Sequence, residues 1–188
     1  HVHILGGGGE GGFKTRTPEI TLSTLTKAGV TTVVGTLGTD GLARDISALL
    51  AKARGLEEEG ITSYIYTGAY QIPTPTLTGD VMKDIMSIDK IIGAGEIALS
   101  DHRSSQPPFE EFIRLAGMLS GKAGIINIHM GDGKSNLDYL NRAVDETEIP
   151  ISQFLPTHCG RNPELFEESI KYLKRGGYCD FTGADDPD

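Results

Sequence analysis

The sequence predicts an α/β fold, a (β/α)8 TIM-type barrel present here as an incomplete barrel with strand 8 and most of strand 1 missing from residues 1–188. Three features point to it. Short apolar, β-branched runs alternate with amphipathic helical segments, the pattern of parallel strands joined by right-handed crossovers. The runs are nearly continuous in apolar character, as strands buried on both faces must be. Polar residues able to do chemistry recur where successive runs end, and in a barrel those ends share the carboxyl-terminal rim. A full barrel usually needs about 250 residues. This chain holds six strand candidates after a stub that ends in His1-Val2-His3. The competing architecture is an open doubly wound sheet, which the length would also fill. Against it, no Gly-x-Gly-x-x-Gly joins a first strand to a helix with an acid beyond.

Taken in order, Ile4-Leu5 runs into Gly6-Gly7-Gly8-Gly9 and Glu10, a loop suited to close backbone approach. Thr17-Pro18-Glu19 reads as a helix start, with an N-cap hydroxyl, proline at the first position and an acid in the first turn; Gly29 is its stop. Val30 to Leu37 reads as a strand, Asp45 to Glu59 as a helix and Ile61 to Thr67 as a strand ending at Gly68-Ala69-Tyr70. A helix follows from about Asp80 to Ile88, and then a strand from Ile91 to Leu99 that carries Glu96 between apolar residues and glycines. Pro107-Pro108 opens a helix with Phe112, Ile113 and Ala116 inward, and Ile125 to Ile128 forms a strand closed by His129. Leu137, Leu140, Ala143 and Val144 mark a helix, Ile151 to Thr157 a strand before His158, and Asn162-Pro163 caps a helix through about Arg175. Tyr178 to Thr182 is the last strand expected.

Composition narrows the function classes. With 38% hydrophobic and 23% charged residues the chain suits a globular domain. A net charge of −9 without a clustered basic face argues against nucleic acid as a partner. No apolar stretch approaches the ~20 residues of a membrane span. Cys159 and Cys179 lack metal-type spacing and are expected to be reduced thiols of a cytoplasmic protein.

The strand ends suggest a metal. His1 and His3, two positions apart, present both imidazoles on one face of an extended segment, and His129 and His158 each follow a later apolar run. Histidine ligands must converge on one cation, and neighbouring strand ends are a rigid way to arrange that. A carboxylate as buried as Glu96 needs compensation, either from a lysine or, as a bridging ligand, from cations. Imidazole and carboxylate ligands admit zinc, nickel, iron or manganese. Arg103 and Arg161, just past strands, are suited to substrate carboxylates through paired hydrogen bonds. Asp101 and Asp132 are suited to orient ligand histidines, His102 reads as an outer or structural residue, and Lys122 and Lys134 as solvated charges.

His1-Val2-His3, the glycine run with Glu10, Gly38-Thr39-Asp40, Thr67-Gly68-Ala69-Tyr70, Ser100-Asp101-His102-Arg103, His129-Met130-Gly131-Asp132 and Leu155-Pro156-Thr157-His158 together resemble the isoaspartyl dipeptidases of the amidohydrolase superfamily, in order and along essentially the whole chain. The resemblance implies the barrel of the metal-dependent hydrolases, two zinc ions and hydrolysis of β-aspartyl dipeptides by a metal-bound hydroxide. It further implies that His1 and His3 hold one ion, His129 and His158 the other, and that a carboxylate bridges them. Tyr70 would stabilise the oxyanion, Glu10 would take the substrate ammonium, Arg103 and Arg161 its carboxylates, and Thr39 with the backbone near Gly8 would position it. A homo-oligomer is the family expectation. Glu96 stands where family members carry a carboxylated lysine, although glutamate bridges metals elsewhere in the superfamily. The family's small β-domain is expected to be absent from residues 1–188, which form a partial catalytic barrel, and its strand-8 aspartate lies beyond them; Asp180, in the seventh strand, does not take that place. A fragment of a longer enzyme is therefore expected. A deacetylase or cyclic amidase of the superfamily, or a non-catalytic metal-binding fragment, is the alternative.

Overall fold

The computed structural model describes residues 1–121 and 124–183, so Lys122 lies outside it. Strands β1 (Thr32–Gly35), β2 (Thr62–Thr67), β3 (Ile91–Leu99), β4 (Ile125–Met130) and β5 (Phe154–Thr157) form one parallel sheet, hydrogen-bonded in the order β1-β2-β3-β4-β5. This order never reverses, whereas a doubly wound sheet must reverse at its switch point. At the β1 edge, Val2 donates to the Val34 carbonyl at 2.8 Å and accepts from Thr36 at 3.1 Å, so His1-Val2-His3 continues the sheet. Past β5, Asp180 donates to the Pro156 carbonyl at 2.9 Å. The His1 ring, at one edge, lies 3.2 Å from the Asp180 carboxylate at the other. The sheet therefore curls, and the architecture is an incomplete TIM-type barrel.

The described residues hold six α-helices: α1 (Leu22–Lys27), α2 (Ile46–Glu58), α3 (Val81–Ser87), α4 (Phe109–Leu119), α5 (Asp138–Glu146) and, after the last strand, α6 (Pro163–Lys174). Asp45, Asp80 and Asn162 cap α2, α3 and α6 by accepting from the N–H three residues on, and Pro163 begins α6. The inward face of α4, Phe112, Leu115, Ala116 and Leu119, packs on β3 and β4. Phe112 is fully buried and stacks on Phe154 at 5.7 Å between ring centres, a burial that stabilises by about 1.5–3 kcal/mol. A second cluster joins Ile4, Leu5 and Leu25 to β1, β2 and the Leu49, Ala53, Leu56 face of α2. Buried Asp84 on α3 accepts from Thr67, from the Leu77 and Thr78 N–H groups and from the Thr78 hydroxyl at 2.6–2.8 Å, which ties down the loop between Tyr70 and α3.

Several boundaries differ from the sequence expectation. Thr17 does not cap a helix: its hydroxyl accepts from the Gly7 N–H at 2.7 Å, and α1 begins only at Leu22. Ile151–Gln153 is a 3-10 turn, so β5 starts at Phe154. Tyr178 to Thr182 is not a strand. A parallel ladder would need the His158 N–H opposite Asp180, but His158 turns to φ 64° and Cys159 donates to the Asp180 carbonyl instead, at 3.1 Å.

Candidate metal centre

β3 carries the central residue. Its register slips by one residue against β4, with Ala94 opposite Ile126 and Ile97 opposite Ile128, and the bulge spans Gly95 and Glu96. A Cβ on Gly95 would lie 2.7 Å from the Asn127 carbonyl oxygen, so glycine is what lets β4 approach. The bulge aims the fully buried Glu96 carboxylate at the rim, where four of the chain's five histidines meet it. Oε1 lies 2.9 Å from His129 Nδ1, 3.2 Å from His158 Nε2 and 3.5 Å from His1 Nε2, while Oε2 lies 3.4 Å from His3 Nε2. Gly38, at φ 57°, makes room for His3: a Cβ there would stand 2.0 Å from the imidazole Cε1.

Charge balance at the centre favours a cation. Burial opposes ionisation of Glu96, but hydrogen bonds from His1, His129, His158 and His3 outweigh it and hold the carboxyl well below its usual range. Burial likewise works against a proton on His1, yet Asp180 and Glu96 on either side raise its pKa to about 9. Burial dominates at His129 and lowers its pKa.

The ring nitrogens turned away from Glu96 are mostly engaged. His1 Nδ1 meets Asp180, His129 Nε2 meets Asp101 Oδ2 at 3.0 Å, and His158 Nδ1 meets the Thr182 hydroxyl at 2.6 Å. With a cation in place of the protons now shared with Glu96, such partners would fix the tautomer and turn the other nitrogen's lone pair to the centre. Arg103 Nη2 is 2.8 Å from His129 Nε2, but both donate to the same Asp101 oxygen, and that shared acceptor accounts for the approach.

The donor set fits divalent ions. Two ligands held ~2.0–2.1 Å from one tetrahedral ion stand roughly 3.3–3.4 Å apart. The longer of the separations around Glu96 match that edge. His1, Glu96 and His158 offer atoms within 4.8 Å of one another. This trio takes one ring from each pair that the resemblance assigns to separate ions. Among the described residues, Glu96 Oε2 has no partner other than His3 Nε2 at 3.4 Å, and His3 Nδ1 is buried without one.

Around the centre, buried Tyr70 places its hydroxyl 2.7 Å from His129 Nδ1, and burial together with the Glu96 charge drives its pKa upward, keeping it a phenol. Arg103 donates to Asp101 at 2.7 and 2.9 Å and to Glu10 at 3.1 Å. Gly8, Glu10 and Thr39 line one cavity of about 420 Å³. Backbone hydrogen bonding at Glu10, with Arg103 and the Thr39 hydroxyl, lowers the Glu10 pKa. Arg161 is exposed, its N–H bonded to the His158 carbonyl and its charge felt at Tyr70. His102 is exposed, 3.6 Å from Asp101 and outside the imidazole cluster; Asp132 and Lys134 are exposed.

Asp180, Thr157 and Thr182 join the centre without having been expected there. Asp180 and Thr182 share the spacing of two seen in His1 and His3, which places both on one face of extended chain. That pattern was the available clue.

No family model matches the chain. Among solved structures, a β-aspartyl dipeptidase from the thermophilic, keratin-degrading Fervidobacterium islandicum AW-1 is 52% identical, with a TM-score of 0.95 over 96% of this chain and 51% of that one. A structure of the Fervidobacterium dipeptidase in complex with the β-Asp-Leu dipeptide aligns with a TM-score of 0.96 over 98% of this chain and 52% of that one, at 52% identity. The chain thus spans about half the length of these relatives. The phosphotriesterase homology protein of Escherichia coli, at 19% identity and a TM-score of 0.63 over 86% of this chain and 61% of that one, shares the fold. A consecutively ordered, incomplete barrel with a histidine–carboxylate cluster on its carboxyl rim defines the class, the hydrolases of the amidohydrolase superfamily. Within it, the chain is similar to the β-aspartyl dipeptidases, at 52% identity over about half of their length.

Proposed function

We propose that the chain contributes the metal-binding and most of the substrate-binding half of a peptidase that hydrolyses the isopeptide bond of β-aspartyl dipeptides. The observation that carries this is the Glu96 carboxylate set among His1, His3, His129 and His158 on the barrel rim. Those five residues would hold two zinc ions, with Glu96 as the bridge, its two oxygens turned to different rings. Bound there, divalent ions lower the pKa of water and polarise the scissile carbonyl. Tyr70, kept protonated, donates its O–H to the oxygen that gains charge. Glu10 receives the substrate ammonium, Arg103 and Arg161 its carboxylates, and Thr39 and the Gly8 backbone set its position. The Glu10–Arg103 pair, at 3.1 Å and partly exposed, is of the kind worth about 0–1 kcal/mol, so a zwitterionic substrate separates it at little cost.

Zinc content and β-Asp-Leu turnover, measured on residues 1–188 and on a chain extended past them, test the assignment. Zinc uptake with hydrolysis in at least the longer chain is expected, and zinc without turnover in both would end the enzyme assignment. Glu10→Gln should raise KM with little change in kcat; unchanged kinetics would favour a superfamily hydrolase of substrates without a free α-amine. A homo-oligomer in the cytoplasm completes the proposal as the family expectation; among the described residues no helix is long and apolar enough to cross a membrane.

A further inference from the structure

Asp180 is held with unusual care for a residue that the family comparison leaves without a role. Its backbone is tied to the β5 side in both directions, donating to the Pro156 carbonyl at 2.9 Å and accepting from Cys159 at 3.1 Å. The Thr157 hydroxyl donates to Oδ2 at 2.8 Å. That same oxygen faces His1 Nδ1 at 3.2 Å, while His1 Nε2 looks toward Glu96 at 3.5 Å. The His1 ring is otherwise packed edge-on against His158, with 5.4 Å between ring centres.

We propose that Asp180 is a positioning residue: by accepting the Nδ1 proton of His1 it sets that ring's tautomer and rotation and presents Nε2 to the cation, an inference that rests on the metal-centre assignment above. The carboxylate also makes the imidazole a stronger base and so a better ligand. Asp101 does the same for His129 from the other side of the centre, and the Thr182 hydroxyl holds His158. Every strand-end histidine except His3 is then oriented from behind, and Asp180 is the partner that reaches from the β5 side to the opposite edge of the sheet.

Titration of the metal-free chain with Co2+, followed by the visible spectrum of the bound ion, tests this. Asp180→Ala is expected to weaken Co2+ binding by about 10–100-fold and to change the spectrum. Asp180→Asn keeps an acceptor oxygen and should recover much of the affinity. Thr157→Val, which removes only the anchoring hydroxyl, should weaken binding a few-fold. In the zinc-loaded chain the Nδ1–H resonance of His1 should be present in the native protein and in Asp180→Asn and absent in Asp180→Ala. Circular dichroism separates loss of orientation from loss of fold; should the alanine variant not fold, the asparagine and Thr157→Val variants carry the test. Native affinity and spectrum in Asp180→Ala, native affinity in Thr157→Val, or loss of the His1 resonance in Asp180→Asn would overturn the role of Asp180 while leaving the metal centre intact. A native chain that takes up no Co2+ would overturn both.

Discussion

Tyr70 and Glu96 are buried side by side with opposite demands. One must keep its proton and the other must not. Glu96 is held ionised by four imidazoles, whereas the same negative charge, added to burial, keeps the Tyr70 phenol protonated. In the proposed site the pair would thereby supply an anionic ligand and a neutral donor from neighbouring strands. Tyr70→Phe is expected to lower kcat by about 10²–10³-fold, the usual loss for one oxyanion donor. KM should stay within a few-fold and metal content should not change, as steady-state kinetics and elemental analysis on the active chain would show; an unaltered kcat would remove Tyr70 from the chemistry. The meeting of the histidines and Glu96 was legible in the sequence because each marks or interrupts a run that could only be a buried strand. Asp180 was not, because a place in the expected seventh strand carries no sign of a partner at residue 1. The spacing of Asp180 and Thr182 carries face, but nothing in it shows that the sheet curls far enough to bring residue 180 to residue 1.

Helix ends were easier to foresee than helix starts that depend on distant chain. Asp45, Asp80 and Asn162 sit directly before their helices and act locally, so composition sufficed. Thr17 looked equally good, but the glycine run folds back and engages its hydroxyl, a non-local competitor that no local pattern reveals. The seventh strand failed for a related reason: one left-handed residue, His158, shifts the donor by a position, and the apolar run beyond it has no matching ladder. Asp45 also permits a pH test at this scale. Bonds from the Ser47 hydroxyl and the Ala48 N–H lower its folded-state pKa below the ~3.9 of an unfolded aspartate. Its charge therefore stabilises the fold in full above that value, and the contribution is lost as pH falls through the lower folded pKa. The difference in denaturation midpoint between native and Asp45→Asn chains should be constant from pH 7 to about 5 and narrow below about 4. A gap that does not change with pH would show that the cap works through its oxygen alone.

At the scale of the molecule, the alternation of elements predicted a parallel sheet and the polar residues at successive strand ends predicted the barrel, and the solved relatives share the fold. What the alternation does not contain is how firmly the two edges of the sheet hold together. If the centre binds metal, cations are part of the answer, because the ligands come from the stub, β3, β4 and the end of β5. At 100 times the dissociation constant, one occupied site adds about 2.7 kcal/mol, which for a chain of this size raises the melting temperature by roughly 5–10 °C. Calorimetry with and without a chelator should show that difference, and a chelator-insensitive melt would argue against a bound ion in the folded chain.

The hydrogen bond between His1 and Asp180 joins residues 179 positions apart. Closing so long a loop costs entropy that the intervening strands offset by stacking first, so this clasp is expected to form late in folding. An ion that needs His1 and His158 at once finds no grip on a half-assembled chain. If the centre binds metal, its capture would act as a latch on a finished fold.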